Sequence, residues 1–119
     1  MDISSESLTK KARKSKRKGK RGEKEVSLIL SSAGYSARVG RNPEPDVVSD
    51  FPFVIEVKRN EKLNIFAAID QIRKYCLDTG EKRPYAVFFR RNEDEWAVAI
   101  PLETLMEMLE DYQDLVYGK

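Results

Sequence analysis

Histidine is absent from these 119 residues, and cysteine occurs once, at Cys76. The first absence excludes Ser-His and Cys-His nucleophile pairs, zincin sites and imidazole acid–base chemistry. The second excludes an internal disulfide and any multi-thiolate metal site. Cys76 itself follows Ile65, Ala68, Ile69 and Ile72 at helical spacing and reads as part of a helix face. No stretch approaches the ~20 apolar residues of a membrane span, and no apolar h-region follows Met1. The expected location is therefore intracellular, in the cytoplasm (the host's, for a viral source), with no membrane partner. Internal repeats are missing too. Whatever chemistry remains belongs to carboxylates, lysine, tyrosine or a metal held by oxygen.

At this length the chain is one domain with a modest core. Its 40% hydrophobic and 35% charged residues fit a packed interior under a very polar surface. The formal charge of +2 hides an asymmetry. From Lys10 to Arg21, nine of twelve residues are Lys or Arg and none is acidic. Of 22 basic residues in all, the other 13 meet all 20 acidic ones, leaving about −7 on the rest of the chain. A basic arm on an acidic body suits a polyanion, because each phosphate contacted releases counterions. Residues 1–17 are expected to be a disordered basic arm ahead of a folded domain over 18–119. Because the run leads straight into the first helix, Lys14, Lys16, Arg17, Lys18, Lys20 and Arg21 are candidate nucleic-acid contacts. A solvated tail, or one read by a transport receptor, is the alternative.

Periodicity supplies the elements. After Gly22, Val26, Ile29, Leu30 and Ala33 recur at helical spacing, and Gly34 makes a stop. Tyr35–Val39 reads as a short strand and Gly40–Pro45 as a loop. Asp46–Ser49 and Phe53–Lys58 pair as a hairpin around Asp50-Phe51-Pro52. Ile65, Ala68, Ile69, Ile72 and Cys76 mark a second helix, closed near Thr79-Gly80. Two more strands, Tyr85–Arg90 and Glu95–Ile100, precede a last helix with Pro101 in its first turn and Leu102, Leu105, Met106 and Leu109 as its apolar stripe. That order predicts an α/β fold with one mixed sheet flanked by helices. The last helix suits either covering the sheet or joining an interface.

The chemistry concentrates in Pro45-Asp46 and Glu56-Val57-Lys58. Strand residues alternate faces, so Glu56 and Lys58 share one side while Phe53, Ile55 and Val57 take the other. Two acids that can share a hard cation, beside an ammonium, are what metal-assisted phosphodiester hydrolysis needs. A hairpin with a charged outer face, in which Lys58 merely pairs with Glu56, is the plainer alternative.

The helix, three strands, helix and strand, with an acid on the first helix, resemble the core of the PD-(D/E)XK nuclease superfamily. Pro45-Asp46 with Glu56-Val57-Lys58 looks like its signature. Within that superfamily the chain is most similar to archaeal-type Holliday-junction resolvases and their phage relatives. Lys18-Gly19-Lys20-Arg21-Gly22-Glu23 resembles their Lys-Gly-x-x-x-Glu motif. Gly34-Tyr35 falls at their Gly-aromatic pair, Ile55–Lys58 at their acid-bearing strand and Gln71 at their helix glutamine. The likeness covers residues 18–100 and departs at Val39–Glu44, which lacks the Ser-Gly element many of them carry; Arg38 and Arg41 stand there as DNA-facing candidates.

The resemblance implies a restriction-endonuclease-like αβββαβ core plus a C-terminal strand and helix, so that 18–119 is a nuclease domain. It implies a Mg²⁺-dependent, structure-selective DNA endonuclease making paired symmetric nicks in Holliday junctions as a homodimer, with Mn²⁺ able to substitute. Asp46 and Glu56, both hard oxygen donors, would hold the metal with the Val57 carbonyl. Lys58 would orient or deprotonate water or stabilise the transition state, and Gln71 would contact the scissile strand or support the metal site. Glu23 is the motif-aligned helix acid; Glu25, on the other flank of the apolar stripe, competes with it, and capping is open to both. Other nucleases of this fold (nicking, flap, repair or restriction types) and a non-catalytic junction-binding or architectural protein are the alternatives.

Overall fold

The computed structural model describes residues 20–118. The expected arm at 1–17, which includes Lys14, Lys16 and Arg17, and the neighbouring Lys18 lie outside the described residues. Helix α1 covers residues 20–32 and contains Gly22 rather than following it. A Cβ at Gly22 would come within 3.1 Å of Arg59 Cβ and 3.4 Å of Val57 Cγ1. The helix therefore gives up some propensity to lie close against the strand that carries the candidate site.

Five strands follow in spatial order β1-β2-β3-β4-β5. They are β1 (Ala37–Val39), β2 (Val47–Ser49), β3 (Val54–Arg59), β4 (Tyr85–Arg90) and β5 (Ala97–Ala99). Helix α2 (Ile65–Thr79) makes the crossover that sets β4 parallel to β3, and the other neighbours are antiparallel. The Asn64 side chain caps α2 by accepting the Ala67 N–H, and Gly80 ends it at φ 71°. Helix α3 (Leu102–Tyr117) closes the order, with Pro101 at its N-cap rather than inside the first turn.

Alternation along β3 builds two half-cores. Phe53, Ile55 and Val57 meet Val26 and Leu30 of α1 together with Phe88. Val54 and Val87 meet Ala68 and Ile72 of α2 on the other face. Ile55, Ile72, Val26, Val54 and Val87 are fully buried, each contributing roughly 1.5–3 kcal/mol of apolar transfer. Burial on both faces explains why residues 54–57 and 85–89 read as apolar runs interrupted only at Glu56, ahead of the charged strand ends at Lys58, Arg59 and Arg90.

Three strands are shorter than expected: β1 starts at Ala37 rather than Tyr35, β2 at Val47 rather than Asp46, and β5 covers Ala97–Ala99 rather than Glu95–Ile100. Tyr35 is spent on closing α1, its N–H donating to the Leu30 carbonyl at 3.0 Å, and Ser36 N–H donates to Asp50 Oδ1 at 2.9 Å. Pairing therefore starts at Ala37. Phe51, expected only in the turn, stacks edge-on with Tyr35 at 4.9 Å between centroids. Arg83 secures that turn by donating to the carbonyls of Ser49 and Phe51 at 3.0 and 3.1 Å. Helix α3 does not cover the sheet: every residue in it except Thr104 is exposed. No helix among the described residues is long and apolar enough to cross a membrane.

Candidate active site

Strand pairing makes Asp46 and Glu56 neighbours. Val47 pairs with Ile55, so the next rung sets Asp46 opposite Glu56 with both side chains on one face. The ten-residue interval between the acids is thus the span of a hairpin. Asp46 Oδ2 also accepts the Val57 N–H at 2.9 Å, which fixes the carboxylate beside β3. The loop leading to Asp46 closes through the Gly40 N–H and the Asp46 carbonyl at 2.9 Å. A Cβ at position 40 would overlap the Pro45 carbonyl oxygen, so only glycine lets the chain return this tightly.

Glu56 is 4% exposed, an acid inside the sheet. Lys58 Nζ lies 3.4 Å from Glu56 Oε1, an ion pair by distance whose alignment makes no hydrogen bond, so Oε1 stays buried without a donor. Burial first, and then the charge of Asp46, push the Glu56 carboxyl up to about 8 against the pull of Lys58. Lys58 Nζ donates instead to Gln71 Oε1 at 3.2 Å, linking β3 to α2. Glu23 enters from α1. Burial, with Asp46 second, raises its pKa, while Lys20 and Lys58 oppose the rise.

These side chains line one cleft of about 250 Å³: Glu23, Asp46, Glu56, Lys58 and Gln71, with Val57 between them. Arg59 and Asn60 join it, and neither was singled out from the sequence. Alternation assigns Arg59 to the α1 side, and only its place as the last residue of β3 hints that it borders the opening. A larger hollow of about 430 Å³ lies beside Glu61, Arg90, Arg91 and Asp94. Most of its charges are already engaged, Arg91 with Asp94 at 3.0 Å, Arg90 with Glu25 at 3.3 Å and Glu61 with the Asn92 N–H at 2.8 Å. Chemistry, rather than size, favours the smaller cleft.

Glu25 has a different position. Its carboxylate accepts Trp96 Nε1–H at 3.1 Å and pairs with Arg90 at 3.3 Å and Arg59 at 3.7 Å. Arg90 in turn lies over the Trp96 ring, 5.5 Å from its centroid. Glu25 therefore ties α1 to β3 and β4, whereas Glu23 borders the cleft. Arg38 holds Glu44 through two hydrogen bonds of 3.0 and 2.6 Å, and the Arg41 N–H adds a third at 3.0 Å. These hold the Glu44 carboxyl down to about 2, Arg38 contributing most. The Arg38 guanidinium thus already has an acidic partner, one not singled out from the sequence although it lies only six residues on. Lys20 and Arg21 are exposed at the start of α1.

Two cross-strand carboxylates, one with a buried oxygen lacking a donor, suit a hard divalent cation. With no imidazole or thiolate among them, they suit Mg²⁺ or Mn²⁺ better than a softer metal. Among the described residues no three Asp, Glu, His or Cys side chains gather as a metal cluster. Backbone carbonyls and water would complete the shell.

No protein-family model matches the chain, and no curated protein matches it. Among solved structures it is similar to Hjc, a Holliday junction resolvase from the archaeal hyperthermophile Archaeoglobus fulgidus. The two share 26% identity, with 70% of this chain and 72% of that one covered and a TM-score of 0.53. With its five-stranded mixed sheet and flanking helices, the chain has a restriction-endonuclease-like α/β fold, as that likeness indicates.

Proposed function

We propose that the chain is a divalent-metal-dependent DNA endonuclease of the PD-(D/E)XK type whose substrate is the four-way junction, nicked symmetrically by a homodimer. The observation that carries this reading is the meeting of Glu23, Asp46, Glu56, Lys58 and Gln71 in one cleft, within a fold similar to that of a junction resolvase. Asp46 and Glu56, with the Val57 carbonyl, would hold Mg²⁺ or Mn²⁺, which when bound acidifies water and neutralises phosphate charge.

The protein's own groups set the terms. Glu56 must give up its proton before both carboxylates can serve as ligands, so cation and proton compete at neutral pH. Gln71 holds the Lys58 ammonium at the mouth of the pair, where it donates to a phosphate oxygen or to the attacking water. Glu23, with its raised proton affinity, orients that water or accepts its proton. Lys20 and Arg21, with the basic residues before them, draw in the phosphate backbone without reading bases.

A synthetic four-way junction with Mg²⁺ provides the test. Symmetric nicks are expected, with cleavage lowered about 1,000-fold in Asp46→Asn and Glu56→Gln and binding kept. Equal cutting of linear duplex, flap and fork would widen the substrate class. Tight junction binding without cutting in Mg²⁺ or Mn²⁺ would instead make this an architectural protein. Wild-type cutting by both variants would refute the metal mechanism.

A further inference from the structure

Helix α3 presents an apolar face that nothing within the described chain covers. Leu102, Leu105, Leu109, Tyr112 and Val116 recur at alternating intervals of three and four residues, the seam spacing of paired helices. The positions flanking that seam are Met106, Met108, Gln113 and Leu115, all uncharged. Glu103, Glu107, Glu110, Asp111 and Asp114 fall on the opposite side of the wheel, and α3 carries no basic residue. Charge is thus kept off the stripe and its borders.

Exposure along the stripe runs from 40% at Leu105 to 72% at Leu102, and reaches 85% at the flanking Leu115. These side chains, with the flanking Met106 and Met108, leave on the order of 900 Å² open, against roughly 300–600 Å² for the largest apolar patch of an ordinary monomer. A standard specific interface removes about 800 Å² per partner. A helix of this length is also marginal in water unless one face packs. The area and the helix both call for a partner.

We infer that α3 pairs with α3 of a second copy of this chain, seam to seam about a two-fold axis. The other occupants fit less well. The basic run from Lys10 to Arg21 has a single apolar residue, Ala12, so it matches the acidic face but offers nothing to the stripe. A helix lying on a membrane carries Lys and Arg on its polar face, and α3 carries acids there. An identical helix supplies an equal stripe and an isologous contact. The pairing rests on the surface of α3; only its use, bringing two clefts to one junction, rests on the nuclease reading.

Sedimentation velocity of the full chain, across a protein concentration series, tests it. The wild type is expected to be a dimer, and Leu105→Glu/Leu109→Glu to raise the dissociation constant about 100-fold or more. Both positions are already exposed, so circular dichroism and the melting curve should show the body of the variant intact. Should the pair of charges prevent folding, Leu109→Gln alone is read the same way, with a smaller shift. Glu56→Gln should dimerise as wild type does. A wild type that stays monomeric throughout, or a folded seam variant that dimerises like wild type, overturns the inference even if the chain cuts junctions. A dimer that depends on α3 yet never cuts supports it and counts only against the nuclease reading.

Discussion

Glu56 contributes least to stability in the state the proposed chemistry requires, because it is a carboxylate buried opposite a second carboxylate. Its pKa is raised from 4.5 to about 8, so between those values the folded chain holds a proton that the unfolded chain has released. The stabilisation is complete below about pH 4.5 and is lost as pH rises through 8. Without divalent cation, stability should therefore fall on going from pH 5 to pH 8. Glu56→Gln should remove most of that slope and be more stable than wild type at pH 8, by on the order of 3 kcal/mol. Urea unfolding in EDTA at the two pH values measures both, and equal slopes for the two proteins would contradict the assignment. Saturating Mg²⁺ should restore wild-type stability at pH 8, since the cation replaces the proton. From the sequence, Glu56 was legible as an acid on a strand but not as a buried one, because burial depends on α2 lying over that face.

Among the elements, the hairpin and the loop before it do most to place the site. Asp46 sits at the mouth of β2, held by the Val57 N–H on one side and by the Gly40 turn on the other. Gly40→Ala should force the Pro45 carbonyl away, costing roughly 1–3 kcal/mol and displacing Asp46. Since a displacement of about 1 Å can cost about 100-fold in rate, cleavage should fall by that order while junction binding persists. An alanine variant with unchanged melting temperature and rate would show that the loop adjusts freely. The loop's composition announced a turn; its tightness was not legible, because the overlap at position 40 involves a carbonyl five residues away. Likewise, Glu23 and Glu25 were nearly equivalent on a helical wheel. They are separated by Trp96, Arg90 and Arg59, which engage Glu25 and reach it only through the folded sheet.

Over the whole molecule, charge is divided between a basic run and an acidic remainder. If the run binds phosphates, a chain lacking residues 1–17 should bind junctions more weakly. Its log affinity against log salt should be shallower by ~0.9 for each phosphate that the shortened chain leaves unneutralised. Fluorescence anisotropy over a salt series reads the slope, and an unchanged slope would exclude the arm from DNA binding. Divalent-cation binding by the truncated chain should match that of the full chain, because Asp46, Glu56 and Val57 lie far along the sequence from the deletion. Helix α3 belongs to this scale as well. Its amphipathic pattern was evident from the residues, but covering the sheet and facing outward produce the same pattern.

By itself the sequence determined the element order, the alternation that sets Glu56 and Lys58 on one face, and the exclusion of histidine and multi-thiolate chemistry. These follow from local periodicity and residue identity, which need no distant contacts. Only the tertiary structure decided that Asp46 stands opposite Glu56, that Gln71 holds Lys58, that Glu23 rather than Glu25 borders the cleft, and that α3 faces outward. Each of these depends on which surfaces meet across the sheet, and segments far apart in the chain come together only when the cores on both faces of β3 are packed.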